Sequence, residues 1–311
     1  MDLVERILEG DRRAVARAIS MVEDGDEGLA ELSAGLFPHT GAAWTVGLTG
    51  SPGVGKSTLA GELVRVLRQR ERSAAVLAID PTSPFTGGAL LGDRVRMQDH
   101  ATDPQVFIRS MATRGHLGGM ALAAPEAVRI LDAAGKDVVI VETVGVGQAE
   151  VDVAAATDTT LVVVAPGWGD AVQVAKAGIL EIADVFVVNK ADREGADAAV
   201  RDLEQMLRLG AEMPWAPPVV KVTASTGDGV GELWAAIEAH RGYLETSGLF
   251  AEGRRDRLLS EVESLTVEEL RRRVRSLLEA DGDLVVALVE RRTDPYRAAA
   301  LLMERAGAEG R

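Results

Sequence analysis

Gly50-Ser51-Pro52-Gly53-Val54-Gly55-Lys56-Ser57 fits the pattern G-x-x-x-x-G-K-[ST] at every position. An apolar run ending at Thr49 leads into it, and a helical stretch, Thr58–Gln69, follows. That is the strand–loop–helix setting the pattern requires. Glycines let backbone N–H groups converge on phosphate oxygens without obstruction by Cβ. The helix N-terminus adds partial positive charge. On this reading Gly50, Ser51, Pro52, Gly53, Val54 and Gly55 cradle the phosphates, with Thr58 close behind. Lys56 neutralises the β- and γ-phosphates, and the Ser57 hydroxyl is available to Mg²⁺.

Outward from the loop, short β-branched runs alternate with Ala- and Leu-rich helical stretches. The runs are Thr45–Thr49, Ala75–Ile79, Val138–Val141, Leu161–Val164, Val185–Val188 and Val219–Val222. They lack the polar alternation of a half-exposed strand, so each is expected to be buried on both faces. Helices between them imply right-handed crossovers and a parallel sheet. Val106–Ile108 reads as a further strand at an edge. The expected class is α/β, a P-loop NTPase with a mostly parallel, doubly wound sheet and helical extensions at both termini.

Three segments are expected. Residues 1–42 read as two short helices, the first with Leu3, Val4, Ile7 and Leu8 as its apolar stripe, the second capped by Asp11. Residues 43–248 form the nucleotide-binding domain. Residues 249–311 form a helical arm. In the arm, apolar positions from Leu258 to Leu278 recur at helical spacing until Asp281-Gly282-Asp283 breaks them. Thr293-Asp294-Pro295 then opens a last helix. Such an arm could pack on the domain or pair with a second copy.

The base is read from Asn189-Lys190-Ala191-Asp192, an N-K-x-D match at a strand end. A carboxylate at Asp192 accepts from both the ring N–H and the exocyclic amine of guanine, and adenine presents a different edge. Asn189 can brace the loop, and the Lys190 stem can lie over the ring. Thr223-Ala224-Ser225, after the last strand, resembles the base-contacting loop of GTPases. GTP is therefore expected over ATP.

Carboxylates close two strands, Asp80 and Glu142. A carboxylate there reaches a hydrated Mg²⁺, directly or through water. The bland alternative is a capping role. Glu142-Thr143-Val144-Gly145 is a D-x-x-G motif with Glu for Asp, and Gly145 stands where a backbone N–H could meet the γ-phosphate. Gly145 is followed by Val146 rather than by a water-positioning glutamine, so slow intrinsic hydrolysis is expected. Arg109 and Arg114 are candidates for added positive charge near the phosphates.

Composition bounds the rest. The 311 residues hold 34 Lys+Arg against 48 Asp+Glu, a net charge of −14, which disfavours nucleic acid and anionic membranes as partners. There is no Cys, which removes disulfides, thiol nucleophiles and Cys-ligated metals. The four His (His39, His100, His116, His240) are scattered. Asp2, Glu5 and Glu9 stand where a signal peptide needs basic and apolar residues. The stretch Ala171 to Val188 is broken by Lys176, Glu181 and Asp184. A cytoplasmic protein is expected.

These motifs together resemble the MeaB/ArgK family of P-loop GTPases over nearly the whole chain. The matching stretches are Gly47–Leu59, Val76–Pro84, Leu91–Met97, Arg114–Gly119, Val141–Glu150 and Pro166–Lys176, and Glu142-Thr143-Val144-Gly145-Val146-Gly147-Gln148 is the most distinctive. The resemblance implies a GTPase chaperone of an adenosylcobalamin-dependent acyl-CoA mutase, chiefly methylmalonyl-CoA mutase, and a homodimer joined through C-terminal helices. It assigns Asp80, Asp93 and Glu142 to magnesium and the switch, and Lys176 to a mobile segment that responds to the mutase. Without it, Asp93 reads as a loop carboxylate paired with Arg94 or Arg96, and Lys176 as a solvated helix lysine. A P-loop kinase and a metallochaperone for a nickel enzyme are the rival readings. The second is weakened by the missing Cys and His ligands.

Overall fold

The computed structural model describes residues 2–80, 100, 102–112, 120–143, 149–167, 181–210 and 213–308. Seven parallel strands form one sheet: β1 (Trp44–Thr49), β2 (Ala74–Asp80), β3 (Val106–Ala112), β4 (Val138–Thr143), β5 (Thr159–Val164), β6 (Val185–Asn189) and β7 (Val219–Val222). Their order is β3-β2-β4-β1-β5-β6-β7. The expected fold class is borne out, with the 106–112 strand at the edge. Every residue of β1, β4, β5 and β6 is buried, which is why these strands read as unbroken apolar runs. β1 lies between β4 and β5, where the chain's winding reverses. In such sheets ligands bind at the carboxyl ends of the strands beside the reversal.

The helices are α1 (Leu3–Leu8), α2 (Arg12–Asp24), α3 (Leu29–Leu36), α4 (Lys56–Gln69), α5 (Met120–Ala133), α6 (Ala149–Ala156), α7 (Ala196–Leu209), α8 (Val230–Ser247), α9 (Leu249–Ala280), α10 (Gly282–Val289) and α11 (Pro295–Ala308). On one face Leu48, Ile140 and Val163 pack with Leu59 and Leu63 of α4 and Trp234 and Ile237 of α8. On the other, Leu77, Val139 and Val141 pack with Ile130 of α5 and Val153 of α6. Ile7, Val15, Ile19 and Leu36 belong to this second core. The N-terminal helices thus cover part of the sheet, and they number three rather than the expected two. Asp11 caps α2 as expected, accepting from the Arg13 and Ala14 N–H groups.

Two compact units are distinguished, Met1–Arg257 and Leu258–Arg311. In the second, Leu284, Ala298 and Leu302 form a small core with Val274, Leu277, Leu278, Leu288 and Leu301. The long helix α9 ends at Ala280, so the expected break at Asp281-Gly282-Asp283 is present, and a further helix, α10, starts from it. Asp281 accepts from the Leu284 N–H at 2.9 Å and caps that helix. Among the described residues no helix is long and apolar enough to cross a membrane.

Candidate nucleotide site

β1 ends at Thr49 and α4 begins at Lys56, so the loop 50–55 crosses the top of the central strand. Two of its glycines are required by shape. Gly50 has φ 134°, and a Cβ there would lie 2.1 Å from the Val163 carbonyl oxygen. Gly55 has φ 99°, and its Cβ would lie 2.4 Å from Asn189 Nδ2. Any other residue strains the turn or pushes the neighbouring strand end away. Gly55 is also the N-cap of α4, and no side chain caps this helix. Its N-terminal dipole therefore faces the loop's concavity, ready for an anion.

Lys56 is buried, and its Nζ donates to the carbonyl oxygens of Gly50 at 2.6 Å and Ser51 at 3.2 Å. The ammonium is thus held across the loop, where phosphate oxygens can replace those carbonyls. The Ser57 hydroxyl donates to Glu142 Oε1 at 2.7 Å, across from the end of β4. Glu142 is only 2% exposed. A hydroxyl and a carboxylate oxygen so close together at a helix N-terminus are hard donors, the kind that suits Mg²⁺. Asp80 ends β2 beside β4, whose last register pair is Ile79 with Thr143. The side chain of Asp80 lies outside the described structure, as do Asp93, Gly145 and Lys176 entirely, together with Arg114 and His116.

The second half of the site follows β6 and β7. Asn189 is 2% exposed. Its Nδ2 donates to the Val54 carbonyl at 2.8 Å, and its Oδ1 accepts from the Ala224 N–H at 3.1 Å. Lys190, at φ 58°, donates through Nζ to the Gly53 carbonyl at 2.6 Å. One buried amide therefore ties together the phosphate loop, the N-K-x-D loop and the Thr223-Ala224-Ser225 loop. Asp192 is exposed, with its carboxylate available to a base. Thr223 is fixed by a bridge to Asp228, and Gly227 N–H donates to the Thr223 carbonyl at 2.9 Å. Ala224 is buried and Ser225 exposed in that tight turn.

Arg109 is engaged elsewhere. It donates to the Ala16 carbonyl, to Ser20 Oγ at 2.9 Å and to Glu23, so it fastens α2 to the edge strand. His100 contacts the Gly61 carbonyl at 3.1 Å, and His240 is buried between β5 and α8 with Nδ1 against Thr159 Oγ1 at 2.9 Å. Both are packing residues. Absent from the sequence reading were Asp158, Arg254 and Arg257, in which two partly exposed arginines close over one buried carboxylate. Their spacing carries no local pattern that could have announced them.

A phosphate loop at the winding reversal of a parallel sheet, braced by a guanine-type base loop, defines a P-loop NTPase. The family described as "Methylmalonyl Co-A mutase-associated GTPase MeaB" matches residues 15–279. The chain belongs to this family. A Pyrococcus horikoshii relative assigned as a GTPase is 49% identical over 98% of this chain and 97% of its own. The Escherichia coli GTPase ArgK is 36% identical over 86% of this chain and 83% of its own. A mouse relative, "Methylmalonic aciduria type A homolog, mitochondrial", is 33% identical over 79% of this chain and 64% of its own. Among solved structures, one named as an LAO/AO transport system kinase superposes with a TM-score of 0.71 at 27% identity, covering 97% and 95% of the two chains.

Proposed function

We propose that this protein is a GTP-hydrolysing chaperone of an adenosylcobalamin-dependent acyl-CoA mutase, methylmalonyl-CoA mutase foremost. It would gate cofactor loading, protection or reactivation of the mutase, acting in the cytoplasm as a homodimer. The observation that carries the GTP reading is the Asn189 amide, which holds the guanine-type loop against the phosphate loop. Membership of the mutase-associated family supports the choice of client. A row of exposed apolar residues, Leu258, Leu259, Val262 and Leu265, supports pairing through the second unit.

The reaction is in-line attack of water on the γ-phosphate. Lys56 leaves the Gly50 and Ser51 carbonyls for the β/γ-phosphate oxygens and offsets charge that builds up in the transition state. Asp192 selects the base. Ser57 and Glu142, with Asp80 and Asp93 proposed beside them, would hold Mg²⁺. When bound, that ion neutralises the phosphates and orients them for in-line displacement. Gly145 would report the γ-phosphate, and the mutase would act on the segment that carries Lys176. Hydrolysis is slow until the partner rearranges these parts.

The test is to mix the purified protein with candidate cobalamin mutases and follow phosphate release from GTP. Stimulation by one of them identifies the client, and no stimulation by any contradicts the chaperone reading. The solved neighbour's name keeps a kinase in view. Transfer of label from GTP to a small molecule or protein, in place of free phosphate, would favour it.

A further inference from the structure

Asp158 lies in the turn between α6 and β5, at the end of the sheet remote from Lys56. Its side chain is 1% exposed. Oδ2 accepts from the Thr45 N–H at 3.0 Å and from Arg254 Nη2 at 2.7 Å. Oδ1 accepts from Arg254 Nε at 3.1 Å and from Arg257 Nη2. Burial pushes this carboxyl up, but the Arg254 hydrogen bonds and both guanidinium charges outweigh it and hold it below the usual carboxylate range. Arg254 also donates to the carbonyls of Gly41 and Ala43, the latter at 2.6 Å, and Arg257 to that of Thr157 at 3.3 Å. Above Arg254 lies the Phe250 ring, 4.2 Å from its centroid, and Phe250 stacks on Trp44.

Burying a carboxylate such as Asp158 is a poor route to stability even with arginines over it, because desolvation rivals the Coulomb gain. What the cluster provides is fixed geometry, and two elements inherit it. One is β1: Arg254 holds the approach to its start and Asp158 holds Thr45, while its far end runs into Gly50 of the phosphate loop. The other is α6, whose C-terminal end is anchored at Asp158 and which starts after residues 144–148, directly downstream of Glu142 and Thr143. The two elements lie in close contact. A Cβ on Gly47 of β1 would come within 2.5 Å of Val153 Cγ1 and 2.6 Å of Thr157 Oγ1 of the α6 segment. α6 therefore packs directly on the β1 backbone at Gly47, and a displacement of either element is felt by the other.

We propose that Arg254 and Arg257 are positioning residues for the nucleotide site: through Asp158 they set α6 and β1, and so link the first turns of α9 to the nucleotide. The proposal rests on the guanine-nucleotide reading above. By reciprocity of linked equilibria, a shift in the start of α9 changes the relative affinity for GTP and GDP, and exchange of nucleotide shifts α9 in return.

Two variants test it. Arg257→Gln removes one guanidinium, and Arg254→Lys keeps the charge but loses the fork that reaches four oxygens. Arg255→Gln, which alters an exposed pair with Asp256, is the control on the same helix. Dissociation constants for GDP and for a non-hydrolysable GTP analogue are measured by titration, with kcat and KM for GTP, after thermal unfolding confirms a cooperative fold. In the two test variants the ratio of the dissociation constants shifts by about threefold or more, and in the control it stays at the wild-type value. A lowered Tm with an unchanged ratio and unchanged kcat would overturn the proposal, because a merely structural cluster moves only Tm. If Arg254→Lys does not fold, Arg257→Gln decides alone. Wild-type protein that binds no GDP would overturn the guanine reading itself, a result distinct from equal ratios in a protein that binds.

Discussion

Asn189 has the largest consequence of any single side chain in the site. Its partners Val54 and Ala224 come from two different loops, so Asn189→Ala leaves a carbonyl and an N–H without it. The expected cost is about 2–3 kcal/mol of stability in urea titration, because buried polar groups lose their partner. GDP affinity should fall at least tenfold, about 1.4 kcal/mol or more. Asp184 and His240 show a different balance, 3.2 Å apart at the remote end of β6. Burial raises Asp184 to about 6, so its contribution to stability is present below the usual carboxylate range and lost as pH rises through about 6. Burial lowers His240 to about 4, so its contribution is present above the usual imidazole value and lost as pH falls through about 4. Between these values the two slopes oppose and largely cancel. His240→Gln should unmask the Asp184 slope, with stability falling as pH rises from about 4 to about 6. Asp184→Asn should give the opposite slope. Identical pH profiles in both variants would contradict this account.

At the scale of elements, α2 is held to the edge strand β3 by Arg109, whose side chain is 16% exposed. Arg109→Ala should destabilise the protein by about 2–4 kcal/mol, because a nearly buried ion pair is broken. Nucleotide affinity should stay at the wild-type value, since Arg109 faces α2 and not the phosphates. How much was legible also divides by element. The fully buried strands β1, β4, β5 and β6 stand out as apolar runs, because burial on both faces writes itself into local composition. β7 departs from the expected two-sided burial, with only Val222 buried and Lys221 exposed at the edge of the sheet. The phosphate loop and the base loop were found because each is contiguous. The contact that joins them was not, since Asn189 and Val54 are 135 residues apart. Asp158 and its arginines, 96 and 99 residues apart, left no trace in any window of sequence. α10 was missed because Asp281-Gly282-Asp283 reads as a breaker, whereas Asp281 in place is a cap. The third N-terminal helix, Leu29–Leu36, starts at Gly28 with no side-chain cap, so no Ser, Thr, Asp or Asn marks its beginning as Asp11 marks that of α2.

For the whole molecule, two features carry the proposals about binding: the row of exposed apolar residues in the second unit and the candidate nucleotide site. Val262 is 60% exposed and Leu259 61%. If these residues join two copies, Leu259→Glu with Val262→Glu should convert a dimer to a folded monomer in light scattering, with helical content retained. A wild-type monomer would contradict the homodimer proposal. The central claim is that one site, built from the loop at Lys56 and the loop at Asp192, takes a guanine nucleotide. Calorimetric titration of the wild-type chain with GDP and with ADP, each in the presence of Mg²⁺, tests it most directly. The account predicts GDP binding at one site per chain and ADP weaker by about a hundredfold or more, near 2.7 kcal/mol. Equal affinity for the two nucleotides, or no binding of either, would contradict it.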